Sequence, residues 1–309
     1  MRQVLLGSSG IEVPAVVIGC MNLEEATNEE LDLLIHQALE YGCTFFDHAD
    51  IYGKGECERK FGRVLGADSS IHREDLFIQS KCCIRPGFYD MSHDWIVSSV
   101  DNSLKRLRTD YLDMLLIHRS DALVEPEEVA AAFDELEAAG KVRHFGVSNH
   151  KPSQIELLRT CVKQPLLADQ MQFSLAVAEM VANGIEVNTE GPGATDRDES
   201  TLDWCRINDV TIQAWSPFQR PSWRGPFVGD TEEFGPLNEQ LVTLGEKYGC
   251  TPTTLAAAWV LRHPAHMQLI SGTTKRDRLA EVVAGVDVAE RLTREDWYAL
   301  YRAAGHPLP

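Results

Sequence analysis

Four short stretches of this chain set chemically capable side chains directly behind apolar runs. They read Phe46-Asp47-His48-Ala49-Asp50-Ile51-Tyr52-Gly53, then Gln79-Ser80-Lys81, then Leu116-Ile117-His118-Arg119, and finally Ala214-Trp215-Ser216-Pro217. Each residue alone has an ordinary structural explanation. A lysine after a buried strand can lay its stem on apolar surface and keep its head in water. A histidine behind an apolar run can be a satisfied core residue, and Asp47 can cap a turn. Taken together, a carboxylate, a phenol, an ammonium and an imidazole make one kind of proton donor. A phenol of pKa ~10 is a poor acid at neutral pH unless its anion is stabilised. An adjacent ammonium does that, and a carboxylate on its far side keeps it charged and placed. A nearby imidazole orients a carbonyl oxygen. Such a set serves a developing alkoxide but contains no reductant, so it calls for a hydride-carrying cofactor.

The elements that must bring these groups together follow from periodicity. Short apolar runs at Ala15–Ile18, Thr44–Phe46, Leu76–Gln79, Leu112–Ile117, His144–Val147, Leu166–Gln170, Thr211–Ala214 and Met267–Ile270 predict strands. Between and after them, helices are predicted at 28–41, 56–65, 92–107, 126–139, 152–161, 200–208, 236–248 and 275–285. In 126–139, Val129, Phe133, Leu136 and Ala139 share a face, with Pro126 at the start and Gly140 at the stop. Val4–Leu6 and Ile11–Val13 flank Gly7-Ser8-Ser9-Gly10, predicting an N-terminal β-hairpin. Trp297, Leu300 and Tyr301 predict an extra C-terminal helix over 293–304.

Eight strand–helix units in series predict an α/β fold, a (β/α)8 TIM barrel forming a single domain over 1–309. An open doubly wound sheet also alternates, but no GxGxxG turn follows an early strand. In a barrel the four chemical stretches all fall at the C-terminal ends of strands, the face where active sites form. The Gly-, Pro- and charge-rich segments 183–200 and 218–235 are expected to project from that face as lids or walls, with disorder the alternative.

Bulk properties narrow the partners. With 29 Lys+Arg against 47 Asp+Glu, the net charge of −18 argues against nucleic acid and against an anionic membrane surface. An anionic ligand must therefore meet positive charge gathered locally. The eight cysteines form no CxxC pair and show no zinc-ligand spacing, so no metal is expected. No leader pattern and no apolar run near the ~20 residues of a membrane span is seen, so the expected setting is the cytoplasm, with free thiols.

In order along the chain, FDHADIYG, QSKC, LLIHR, GKVRHFGVSN, AWSPF and SGTTKRDRLAE together closely resemble the aldo-keto reductase superfamily, in its bacterial branch marked by FDHADIYG. The resemblance covers nearly the whole chain and implies NADPH-dependent reduction of a small-molecule aldehyde or ketone to an alcohol. It implies Tyr52 as general acid, Lys81 lowering its pKa, Asp47 pairing with that lysine and His118 orienting the carbonyl. Ser148, Asn149 and Gln170 match the groups holding the nicotinamide carboxamide. Trp215 stands where an aromatic residue, often tyrosine, stacks on that ring. Ser216 and Phe218 fall on the loop that meets the pyrophosphate. Gly272, Thr273, Thr274, Lys275 and Arg278 resemble the segment gripping the adenosine 2′-phosphate, whose positive charge favours NADPH over NADH. Glu281 matches an adenine contact, while the asparagine common after it is Val282 here. A monomer or weak homo-oligomer is implied.

Phe88, Tyr89, Trp95, Trp223 and Phe227 are candidate pocket residues, pointing to an aromatic or apolar aldehyde. Two other readings stay open at this point. A metal-dependent barrel hydrolase would use His48, Asp50 and His118, but leaves Tyr52 and Lys81 without a role. A cofactor-occupied regulatory protein is compatible with the same fold.

Overall fold

Strand pairing follows the apolar runs. In the computed structural model, which describes residues 1–68 and 70–309 apart from the side chain at 223, twelve strands form. β1 (Gln3–Leu5) and β2 (Glu12–Pro14) make the expected N-terminal hairpin. β3 (Val16–Gly19), β4 (Phe45–Asp47) and β5 (Phe77–Cys82) begin the barrel, and β6 (Ile84–Arg85) and β7 (Phe88–Tyr89) form a small hairpin beside it. β8 (Leu112–Ile117), β9 (Val142–Ser148), β10 (Leu166–Gln172), β11 (Thr211–Trp215) and β12 (Gln268–Ser271) complete it. Each barrel strand pairs in parallel with the next, and β12 returns to β3, closing the (β/α)8 barrel. Closure buries both faces of these strands, so β8 is buried at every position.

Most helices lie where periodicity placed them, and their ends have local causes. Thr27 and Glu30 form a reciprocal capping box for Asn28–Glu40. Proline opens Pro126–Ala138, Pro152–Arg159 and Pro252–Leu261, where its missing N–H costs nothing.

The last of these was not anticipated. Every residue from Thr253 to Leu261 is buried, so the helix has no polar face and leaves no amphipathic stripe to read. It packs on β12 and on helix Arg276–Arg291, where an added Cβ at Gly285 would lie 2.8 Å from Ala257 Cβ. Helix Gly235–Tyr248, expected as a barrel helix, instead lies outside against the terminal helix Arg294–Ala303. Lys247 Nζ and Tyr248 Oη both donate to Asp296, at 2.6 and 2.5 Å.

The two irregular segments diverge. Residues 183–200 contain the end of helix Glu179–Ile185 and a 3-10 turn, Pro192–Ala194, and contribute nothing to the main cavity wall. The segment 218–235 is folded onto Asn238, whose Nδ2 donates to Phe227 O and Asp230 O while its Oδ1 accepts from Gly229 N. Its Phe218, Gln219 and Pro226 reach the cavity.

Candidate active site

The barrel mouth brings together the chemical groups of β4 and β5. After Asp47 the chain runs to a 3-10 turn, Tyr52–Gly55, in which Gly53 and Lys54 are left-handed (φ 54° and 55°). On β5, Lys81 Nζ donates to Asp47 Oδ2 at 2.8 Å, to the His48 carbonyl at 2.7 Å and to Tyr52 Oη at 3.1 Å. All three donor positions of the ammonium are thus used inside the protein. Lys81 is 1 % exposed and Asp47 2 %. A charge so buried persists only when paired and hydrogen-bonded.

Burial pulls the Lys81 ammonium down, but Asp47 and Tyr52 outweigh it, and the net shift is upward. Burial pushes the Tyr52 phenol up, Lys81 pulls it down and Asp47 adds to the rise. Lys81 therefore acts in the expected direction, yet the net displacement of the phenol is upward because desolvation of the phenolate is the larger effect. His118 stands edge-on to the Tyr52 ring, centroids 6.0 Å apart at 85°. Burial, with Lys81 and Arg119 adding to it, holds its imidazole well below the usual range, so the ring is neutral.

A second set adjoins the first. Ser148 Oγ donates to the Gln170 carbonyl at 2.9 Å, Asn149 Nδ2 to Ser148 Oγ at 2.8 Å, and Trp215 Nε1 to Asn149 Oδ1 at 3.1 Å. Asn149 and Ser216 both hold left-handed backbone (φ 56° and 49°), a conformation uncommon for residues other than glycine. A cavity of about 1000 Å³ runs from Asp47, Tyr52 and His118 past Ser148, Asn149, Gln170, Trp215, Ser216 and Phe218. Its far end is walled by Gly272, Thr273, Lys275, Asp277, Arg278 and Glu281, whereas Thr274 stays off the wall. Lys275 is exposed, and Arg278 makes a surface ion pair with Glu281 at 3.3 Å. Lys81 sits behind the wall and meets the cavity through Asp47 and Tyr52, both of which line it.

Beneath Asp47 lies a polar floor that motif reading did not anticipate. Gln79 Nε2 and Gln170 Nε2 donate to Asp47 Oδ1 at 2.6 and 3.0 Å. Both also donate to Gln213 Oε1, and Gln213 Nε2 donates in turn to Gln268 Oε1 at 2.9 Å. Gln268 Nε2 ends the chain on the Pro14 carbonyl. The available signal was a glutamine inside each of four strands that are otherwise largely apolar. Asn22, also unanticipated, lines the cavity and ties the loop after β3 to the loop after β12 through Gly272 O at 3.0 Å.

Several expected pocket residues lie elsewhere. Phe88 and Tyr89 are exposed on the β6–β7 hairpin, and Trp95 lies under the Arg85 guanidinium at 4.1 Å. Phe227 is fully buried beneath its own loop, and the Trp223 side chain lies outside the described residues. The apolar wall is made by Ile51, Ile84, Phe218 and Pro226 instead. Nor does the structure assemble the metal set. The His48 ring packs edge-on against Phe61 with its pKa pushed down to about 3 by burial, and burial with Glu58 pushes the Asp50 carboxyl up to about 7. Among the described residues, the grouping close enough to share an ion is Asp32, His36 and Asp68, none of which lines this cavity.

Comparison with known proteins bears on this geometry. The model of the Aldo/keto reductase family matches residues 15–303. The chain is 32% identical to the uncharacterized oxidoreductase YcsN of Bacillus subtilis over the full length of both. It is 33% identical to a 6-dehydroglucose reductase of Novosphingobium aromaticivorans, over 98% of this chain and 96% of that one. The thermostable aldo-keto reductase Tm1743, solved with the inhibitor epalrestat, superposes with a TM-score of 0.78 at 27% identity, covering 98% of this chain and 100% of that one. An aldo-keto reductase of Klebsiella pneumoniae solved with NADPH also gives 0.78, at 24% identity over 100% and 97% of the two chains, a likeness of fold.

Proposed function

The chain belongs to the Aldo/keto reductase family, and from that premise we propose that it reduces aldehydes or ketones to alcohols with NADPH, Tyr52 supplying the proton. The observation that carries this reading is the buried Asp47–Lys81–Tyr52 chain, with links of 2.8 and 3.1 Å, opening into one end of the long cavity. The cavity suits a dinucleotide. It has a set of amide and hydroxyl groups at one end and, on a chain of net charge −18, two cations at the other. A nicotinamide cofactor held there would supply the hydride that the carbonyl carbon needs.

The residues do the rest. A phenol is already protonated at neutral pH and burial moves Tyr52 further that way, so it holds a proton to release to the carbonyl oxygen as charge develops there. Lys81 stabilises the phenolate left behind, and Asp47 holds Lys81 charged and in place. The neutral His118 imidazole offers an N–H to the carbonyl oxygen and orients it. Ser148, Asn149 and Gln170 would orient the carboxamide, and the Trp215 indole, held by Asn149, would offer a ring face for stacking. Ser216 and Phe218, on the cavity wall, would hold the pyrophosphate. Lys275 and Arg278, in the Gly272–Thr274 segment's continuation, would hold the 2′-phosphate, which favours NADPH over NADH, and Glu281 would serve the adenine.

The test is loss of reduced-nicotinamide absorbance with a panel spanning apolar, aromatic and sugar-derived carbonyls, run with NADPH and with NADH. NADPH-dependent turnover of at least one class is expected. Tight NADPH binding without turnover of any carbonyl would replace this reading by the regulatory one.

A further inference from the structure

On the outside of the barrel, helices Glu56–Ala67 and His93–Leu107 cross at Gly62. A Cβ there would lie 2.4 Å from Arg106 O and 2.7 Å from Leu107 O, so the backbones touch. That approach brings the cationic residues of both helices to one concavity of about 300 Å³, lined by Arg59, Arg63, Lys105, Arg106 and Arg108. We propose that this cleft binds a small, multiply charged phosphate-type anion, at a site separate from the long cavity.

The charges are only partly accounted for within the protein. Arg59 pairs with Glu56 at 2.7 Å, and Arg106 Nε pairs with the buried Glu58 at 2.6 Å. Among the described residues Arg63, Lys105 and Arg108 have no acidic partner. Helix-end electrostatics explains part of the arrangement. Lys105 and Arg106 lie in the last turn of their helix, where the macrodipole favours cations. Arg59 lies in the first turn of its helix, at the end where the dipole disfavours them, and Arg63 follows at i+4, a like-charge spacing that is itself unfavourable.

Five cations converging on one hollow, in a chain that carries 18 more acidic than basic residues, is a local reversal of the protein's field. Guanidinium forks in a concave site match the oxygens of phosphate in bidentate fashion. The small volume fits a phosphate or pyrophosphate group, and the overall negative charge disfavours a long nucleic acid strand. The cleft also has a route to the catalytic strand. Glu58 Oε1 accepts from Ser80 Oγ at 2.7 Å, next in sequence to Lys81.

Calorimetric titration of inorganic pyrophosphate at fixed ionic strength tests the site. It is run on the whole protein, on Arg63→Ala/Arg108→Ala, and on Lys275→Ala/Arg278→Ala as control for the long cavity. Arg63 and Arg108 are exposed and unpaired, so their loss leaves folding intact, as an unchanged melting temperature would verify. Saturable binding that survives in the control pair and weakens about tenfold or more in Arg63→Ala/Arg108→Ala is expected. Absence of saturable binding, or binding lost only in the control pair, overturns the proposal. So does a wild-type oligomer that dissociates in Arg63→Ala/Arg108→Ala with pyrophosphate binding unchanged, since an acidic segment of a second copy is then the occupant.

Discussion

The two ends of the long cavity are built on opposite plans. At one end Lys81 spends all three of its donors on Asp47, His48 and Tyr52, and Asp47 is further held by Gln79 and Gln170. At the other end Lys275 is exposed and Arg278 has a single surface ion pair, worth little in water. The first end is fixed by the fold, and in the proposed reaction it acts through geometry at low dielectric. The second offers charge that a ligand must organise, and its contribution is screened by salt. Damage at the first end should therefore appear in kcat, and damage at the second in cofactor affinity.

The sharpest break of this contrast is Lys81→Met. It removes the phenolate's counter-charge and leaves Asp47 buried without a cation, so kcat should fall by about 10²- to 10⁴-fold. Urea denaturation should show a stability loss on the order of 3–5 kcal/mol. At the other end, Lys275→Ala should raise the Kd for NADPH by about tenfold to a hundredfold, leave kcat unchanged and weaken the salt dependence of binding. Binding titrations at two ionic strengths check this; a drop in kcat with Kd unchanged would erase the distinction between the ends.

Gln213→Leu probes how deep the rigid end extends. It leaves Gln79 and Gln170 with fewer partners, a penalty of about 1–3 kcal/mol in stability, and loosens Asp47 enough to cost about tenfold in kcat. Steady-state kinetics should show little change in the KM for NADPH.

The mildest test compares two buried carboxylates. Asp47 is paired with Lys81, whereas Asp169 is buried beside His150, Asn149, Cys205 and Asp198, with no cation among these, and burial pushes it up to about 8. The folded protein then holds a proton that the unfolded chain, near the ordinary 3.8, gives up. This group costs nothing below the unfolded value, and its penalty grows as pH rises from there to about 8. Asp169→Asn should flatten the decline in melting temperature across that window while leaving turnover intact. Asp50, pushed up to about 7, leaves a smaller residual slope.

The barrel and the polar groups gathered at its mouth were legible because both write themselves into local sequence. Apolar runs bounded by turns mark buried parallel strands, and Asp47, Lys81, His118 and Trp215 stand at or just beyond strand ends. What escaped notice has no local mark. Helix Pro252–Leu261 is buried on every side and shows no period, so its neighbour Gly235–Tyr248 took its place in the count of barrel helices. The glutamine floor depends on four strands distant in sequence meeting at one level. Aromatic character did not reveal which way a ring faces: Phe227 went into the interior and Phe88 to the surface. The net upward displacement of Tyr52 also depends on burial, which residue type alone does not reveal.

The central claim is that Tyr52 delivers the proton from an arrangement that binding alone does not need. Its most direct test is single-turnover oxidation of bound NADPH by an accepted carbonyl, comparing wild type with Tyr52→Phe. The account predicts that the variant binds NADPH with unchanged affinity and reacts at least about 10²-fold more slowly. Oxidation at the wild-type rate in Tyr52→Phe would contradict it.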